Sequence, residues 1–270
     1  MNLIEFFGLR IKPKLTRNKK MWKPINTGWI NETFACLRDR DVNCFLVKSA
    51  NGYIAIDSGY KNSDAVRSGL NQLGISPNEI EAVFITHLDI DHAGGVDANS
   101  DNLFPKAKVI LSAEEEKYLT GAYCRKKVLF HHCKLPIALR SGYSLMNDGD
   151  TMTIGDVVVE AILVPGHTYG HTAWLINGTD LFSGDCLISN GTSGYCFYDF
   201  WNTDTALNQS SLNRLKALCD KYNVQTIITS HSGVLTPETA FLHAETSPKW
   251  RKKQFSFIED ADDDPYSSTI

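Results

Sequence analysis

Thr86-His87-Leu88-Asp89-Ile90-Asp91-His92-Ala93-Gly94-Gly95 places two imidazoles and two carboxylates within six positions. They follow Ala82-Val83-Phe84-Ile85, whose length and β-branched content predict a buried strand. The Gly pair after His92 predicts a strand-to-loop turn rather than a helix. In a tight turn, ligands two apart can face one metal ion while their neighbours face a second, so this stretch suits a two-metal site.

Three other segments have the same form, an apolar strand that delivers His or Asp onto a loop containing Gly. Val157–Val164 leads into Pro165-Gly166-His167-Thr168-Tyr169-Gly170-His171, Asp180–Phe182 into Ser183-Gly184-Asp185, and Gln225–Thr229 into Ser230-His231-Ser232-Gly233. Together the four loops can supply seven ligands: His87, Asp89, Asp91, His92, His167, Asp185 and His231.

The pattern resembles the metallo-β-lactamase-fold hydrolase superfamily. That family's H-x-H-x-D-H signature and its distant His, Asp and His are matched in order by His87, Asp91, His92, His167, Asp185 and His231. Asp57, at the end of an earlier strand, matches an upstream Asp of the pattern. The second His of the signature is Asp89 here, giving H-x-D-x-D-H. The resemblance implies one metal held by His87, Asp89 and His167, a second by Asp91, His92 and His231, and Asp185 between them. Zinc is the expected metal; the carboxylate at Asp89 is a harder donor and leaves iron or manganese open. His171, the second His of G-H-T-x-G-H, is not a ligand by the family's assignment. The resemblance also implies an αββα sandwich of two mixed β-sheets flanked by helices, an α/β (α+β) fold.

The same resemblance implies a dinuclear metal-dependent hydrolase that uses a metal-bridging hydroxide. A metal pair about 3.5–4 Å apart lowers the pKa of water toward about 7 and polarises a substrate oxygen. Asp91 is the candidate for passing a proton to the leaving group. The expected substrate is a small ester, thioester or lactone. A di-iron redox protein reducing oxygen or nitric oxide, a phosphodiesterase or nuclease of the same fold, and a non-catalytic binding protein remain open.

Local signals place the supporting elements. A hairpin turns at Asn51-Gly52, and a helix over Ser63–Leu73 starts at Asn62 or Ser63 and stops at Gly74. With the His87 strand these form a βαβ unit whose ligand loop lies at the carboxyl end. A strand over Ala107–Ser112 precedes a helix start at Ala113–Leu119, while residues 121–142 are aperiodic and read as a crossover. Asn177-Gly178 is a second hairpin turn. Asp204–Tyr222 reads as a helix capped by Asn202 or Thr203, with a stripe of Leu207, Leu215, Leu218, Cys219 and Tyr222. The aromatic cluster Tyr195, Phe197, Tyr198, Phe200 and Trp201 reads as core or subunit interface; it is also the first candidate for setting substrate choice, with Tyr195 or Tyr198 facing an oxyanion.

Composition agrees with one catalytic domain. Of the 270 residues, 43% are hydrophobic and 21% charged, enough to bury a sizeable core. Residues 43–245 form the expected catalytic domain, after a basic lead-in over 1–42 and before an acidic tail over 246–270. The 7 cysteines show no framework spacing, which disfavours a disulfide scaffold. No secretory signal or membrane span is expected, so a cytoplasmic setting is the default. The net charge of −4 disfavours nucleic acid, leaving a small molecule as partner. Arg10, Lys12, Lys14, Arg17, Lys19, Lys20 and Lys23 read as a solvated arm. His131-His132-Cys133 reads as a loop near the site mouth rather than a metal site.

Overall fold

A computed structural model describes residues 3–16, 20–128, 131–133 and 135–248, with Leu3, Ile4, Phe7, Lys126–Val128 and His131–Cys133 described as backbone only. Two mixed sheets of seven and six strands lie face to face. Residue alternation builds this sandwich, because each central strand is apolar on both faces. In the first sheet Phe34, Cys36, Phe45, Val47, Ile54, Ile56 and Phe84 point inward, against Val157, Val159, Ala161, Trp174, Ile176, Phe182 and Ile228 of the second. The alternate residues Leu37, Cys44, Leu46, Ala55 and Val83 point outward onto the helix Asp64–Leu73 through Val66 and Leu70. On the far side Ala173, Leu175, Leu181 and Ile227 pack on the helix Thr205–Tyr222 through Leu212, Leu215 and Cys219. The layers are therefore αββα, as expected.

Both hairpins form at their turn signals: Val42–Ser49 pairs antiparallel with Gly52–Ile56, and Thr172–Ile176 with Asp180–Gly184. Asn177 and Gly178 take φ of 50° and 73°, the left-handed pair that a two-residue turn of this kind requires. Ser63 caps the helix Asp64–Leu73 and Gly74 ends it at φ 71°.

Two parallel pairs fix where the loops meet. Gly52–Ile56 runs parallel to Ile80–Phe84, and Asp180–Gly184 parallel to Thr226–Thr229. Their carboxyl ends lie at one edge of the sandwich, where backbone bonds join the sheets: Thr172 N–H donates to Thr86 O at 2.9 Å and Asn43 N–H to Ser230 O at 2.7 Å.

Three local expectations change. The stretch after Asp89 becomes a one-turn helix, Ile90–Ala93, rather than a plain loop. Gly94 and Gly95 are needed for close approach and not for a turn: a Cβ would lie 2.2 Å from Lys61 N or 2.4 Å from Ser58 O. The long helix is capped by Asp204, whose carboxylate accepts from Leu207 N–H at 2.9 Å, while Asn202 and Thr203 turn to His167. Its buried stripe runs through Asn208, Ser211, Leu212, Leu215 and Cys219, and Tyr222 is exposed.

Where it is described, the basic lead-in is not a solvated arm; Arg17 and Lys19 lie outside the described residues. Residues 3–16 are helical, with a π-helical turn over Phe7–Ile11, and Lys12 and Thr16 are buried. Gly8 packs on Ile90, where a Cβ would lie 2.6 Å from the Ile90 side chain, and Trp22 is buried against Phe197 and Tyr198. The charges of the run therefore separate: Lys14 faces solvent while Lys12, two positions earlier, is buried.

The six described cysteines are free. No helix among the described residues is long and apolar enough to cross a membrane. The side chains of His131 and His132 and the acidic stretch 259–265 lie outside the described residues.

Candidate metal centre

All seven sequence-selected residues converge on the shared edge. His87, His167 and Asp185 each offer a donor atom, and these atoms lie within 4.8 Å of one another; Asp91, His92 and His231 form a second such group. Asp185 reaches both groups, with Oδ1 3.4 Å from His92 Nε2 and Oδ2 3.2 Å from His231 Nε2 and 3.7 Å from His167 Nε2. Asp89 also borders the first group, its Oδ2 3.2 Å from His167 Nε2 and 3.6 Å from His87 Nε2.

The imidazoles are held from behind. His92 Nδ1 meets Asp57 Oδ2 at 2.8 Å, His87 Nδ1 meets Thr86 Oγ1 at 3.0 Å, His167 Nδ1 meets Asn202 Oδ1 at 3.3 Å, and His231 Nδ1 donates to the Asp41 carbonyl. In each ring the outer nitrogen is engaged and Nε2 faces inward, as ligand histidines are usually held. Asp57 itself sits at φ 62°, which costs a non-Gly residue strain, and its carboxylate accepts Thr86 N–H at 2.8 Å. It thus ties the His87 loop to the His92 ring.

Burial and charge agree with a cation site. His87 Nε2, His92 Nε2 and Asp185 Oδ1 are buried without a hydrogen-bond partner, a costly arrangement unless an ion satisfies them. Burial pushes the His87 imidazole below its usual range, with His92 adding repulsion. Burial and the Arg125 charge push His167 down to about 3, leaving both rings neutral as ligands must be. Burial alone would lower His92 as well, but the carboxylates of Asp185, Asp91 and Asp57 hold it well above the usual range. Mixed imidazole and carboxylate donors suit zinc, iron or manganese.

His171, 0% exposed, contributes differently: its Nε2 accepts the Asp185 backbone N–H at 2.9 Å. A nitrogen so used orients the Asp185 loop and is turned away from a metal. His171→Ala is therefore expected to retain full metal content by elemental analysis; loss of half the metal would make His171 a ligand.

Several functional neighbours were not legible in the sequence. Arg125, from the aperiodic segment, reaches in with Nε 2.9 Å from Asp89 Oδ1 and Nη2 2.9 Å from Asp89 Oδ2, and also donates to Thr203 Oγ1 and Trp201 O. Burial would raise the Asp89 carboxyl, but this guanidinium holds it well below the usual range. Lys12 makes an ion pair with Asp91 Oδ2 between the rings of Trp22 and Trp201, 5.6 and 5.5 Å from their centroids. Burial opposes the Lys12 charge, yet Asp91, Asp41 and Asp185 keep it raised above the usual lysine range.

Glu115 is the third. Fully buried, it accepts Leu88 N–H at 2.8 Å and Thr168 Oγ1–H at 2.6 Å, so one carboxyl spans the loops of His87 and His167. Burial raises it to about 7, opposed by the Thr168 and Leu88 bonds. A carboxyl raised in the folded state loses its stabilising contribution as pH rises from the unfolded value through the folded one. The wild type is therefore expected to lose on the order of 2–3 kcal/mol between about pH 4.5 and 7 relative to Glu115→Gln, read from denaturant melts. Parallel pH profiles of the two proteins would contradict this.

The aromatic cluster divides. Phe197 and Tyr198 are buried with Met21 and Trp22, as expected of core, yet the Phe197 ring lies 5.0 Å from His167 and 5.8 Å from His231. Tyr195 packs on the same cluster and stacks on His243, ring centroids 4.5 Å apart. A cavity of about 590 Å³ beside Arg125 is lined by Tyr123, Tyr169, Phe200, Asn202 and Thr203 among others.

With two mixed sheets between helix layers and the donor loops at one edge, the class is a metallo-β-lactamase fold. The Metallo-beta-lactamase superfamily profile matches residues 37–231, and the chain belongs to that superfamily. It is 28% identical over 169 residues to the beta-lactamase-like protein 2 homolog of Caenorhabditis elegans, covering 62% of this chain and 50% of that protein. It is 29% identical over 206 residues to a hydroxyacylglutathione hydrolase of Psychromonas ingrahamii, covering 66% of this chain and 71% of that one. An N-acyl homoserine lactonase of a Bacillus species is 26% identical over 217 residues, or 68% of this chain and 79% of its own. The chain thus spans half of the C. elegans protein's length and a larger part of the other two. Among solved structures, a subclass B3 metallo-beta-lactamase of Bradyrhizobium japonicum superposes with a TM-score of 0.56 at 17% identity, covering 79% of this chain and 80% of that one. A B3 enzyme with an active-site glutamic acid gives 0.58 at 18%, covering 82% and 86%. At such identities these two speak for the fold alone.

Proposed function

We propose that the chain is a metal-dependent hydrolase acting on a small thioester, lactone or ester. The observation that carries this reading is the inward convergence of four imidazole Nε2 atoms, each ring held from behind, around Asp185. His87, Asp89 and His167 would hold one divalent ion, Asp91, His92 and His231 a second, and Asp185 would lie between them. Zinc is the first choice of metal, with iron or manganese favoured by the carboxylate of Asp89. Once bound, such ions supply a Lewis acid for the substrate carbonyl and a water activated near neutral pH.

The protein's own residues do the rest. Asp57, Thr86, Asn202 and the Asp41 carbonyl fix the four rings. Phe197, Trp22 and Trp201 shield the donors from bulk water. Asp91, held as a carboxylate, would take the proton given up by the attacking water and pass it to the leaving group, and the cavity beside Arg125 would receive the substrate. Relatives named for hydroxyacylglutathione and N-acyl homoserine lactone hydrolysis favour thioester or lactone over phosphodiester. The partner is accordingly a small molecule, and a cytoplasmic setting fits one.

The test is a paired measurement: zinc, iron and manganese per chain after purification without added metal, then turnover of thioester, lactone, ester and phosphodiester panels. Two ions with thioester or lactone turnover is the expected result. Two irons with oxygen or nitric oxide consumption and no hydrolysis would overturn it.

A further inference from the structure

The oxygen of Asp91 that faces the metal-binding imidazoles is the same oxygen that Lys12 takes. Asp91 Oδ2 lies 3.4 Å from His92 Nε2 and 3.6 Å from His231 Nε2, and it is this atom that the Lys12 ammonium binds. A divalent ion held by Asp91, His92 and His231 would need that lone pair and would place its charge within a few ångströms of the ammonium. Two positive charges that close in a buried site repel by several kcal/mol even at an effective dielectric of about 20. Lys12 and the second metal are therefore competitors for one donor.

The segment that carries Lys12 is built both to dock and to leave. Thr16 Oγ1 donates to Asp41 Oδ2 at 2.7 Å, Lys61 reaches Glu5 at 3.4 Å, and Gly8 lies on Ile90. Leu9 and Leu15 pack on neighbouring clusters and Leu9 O accepts from Arg40, while the helix is broken by the π-helical turn at Phe7–Ile11 directly before Lys12. A π turn inside a helix is a common feature of functional segments. Asp41 links the parts, because its carboxylate holds Thr16 and Tyr60 while its carbonyl accepts His231 Nδ1–H.

Resting on the hydrolase reading above, we infer that the amino-terminal segment is a built-in strap whose Lys12 ammonium stands in for the second metal ion, so that loading of that ion and seating of residues 3–16 exclude each other. The strap closes the site of the protein that lacks its second metal and opens as that metal binds.

The test is zinc titration of the full-length metal-free protein against a competing chelator, for wild type, Lys12→Met and the exposed control Lys14→Met. Lys12→Met keeps the apolar stem between the two indoles and removes the charge. Its second zinc is expected to bind on the order of tenfold tighter or more, with the first zinc and the Lys14→Met control unchanged. In wild type, amide hydrogen exchange over residues 3–16 is expected to quicken when the second zinc binds, a readout that holds even if Lys12→Met fails to fold. Equal second-site affinities in wild type and Lys12→Met, or unchanged exchange in the fully loaded wild type, would overturn the strap and leave the hydrolase reading standing. No zinc bound by any of the three proteins would overturn both.

Discussion

His92→Ala is expected to lose one metal ion per chain and to hydrolyse on the order of a thousandfold more slowly, about 4 kcal/mol of barrier. His92 is the ring on which three carboxylates depend: Nδ1 meets Asp57, and Nε2 lies 3.4 Å from both Asp91 and Asp185. Without the imidazole, Asp91 and His231 are too few to hold an ion, and Asp185 loses the group that keeps its free oxygen oriented. Asp57 retains its bonds to Thr86, so the loop framework persists and circular dichroism should match the wild type. Elemental analysis and turnover are measured on the same sample; full metal content with normal turnover would remove His92 from the ligand set.

Arg125→Met should produce the second large effect, on stability and in the metal-free protein. The Arg125 side chain is 8% exposed, it pairs both oxygens of Asp89, and its removal leaves that carboxylate, 18% exposed, without a counter-charge. Breaking a buried pair from one side costs about 3–5 kcal/mol. For a chain of this size that lowers Tm by roughly 6–20 °C. Zinc should reduce the loss, because an ion at His87 and His167 gives Asp89 a new partner, and Asp89→His in the same chain should recover part of it by removing the orphaned charge. Melting with and without a chelator separates these effects. A metal-free Tm within about 2 °C of wild type would mean that Arg125 does not neutralise Asp89.

The Arg125 pair also gives a physical account of the departure at Asp89. A carboxylate in place of an imidazole adds negative charge to a site that already holds Asp91 and Asp185. The Arg125 guanidinium, 2.9 Å from both Asp89 oxygens and 3.1 Å from His167 Nε2, cancels that charge from the donor side. Asp89 and Arg125 are thus one exchange of charge at two positions 36 residues apart.

Most of the fold was written locally. Apolar runs on Val42–Ser49 and Thr172–Ile176, turns at Asn51-Gly52 and Asn177-Gly178, and caps at Ser63 and Gly74 each act within a few residues, so the sequence alone determined these strands, hairpins and helices, whereas the strand Phe34–Asp39 lay unread within the expected lead-in. It also singled out the seven residues that the structure brings to one edge, because they follow apolar strands and metal chemistry restricts the residue types. Tertiary structure alone decided what surrounds them. Arg125 comes from a stretch without periodicity, Glu115 looks like one of three acidic residues in a helix's first turn, and Lys12 looks like one cation in a solvated run. Nothing within a few residues distinguishes Lys12 from Lys14; the difference is that one faces Asp91 across 79 positions of chain and the other faces water. Periodicity and turn chemistry are short-range, whereas charge compensation in a buried site depends on which distant segments the packed sheets bring to the same edge.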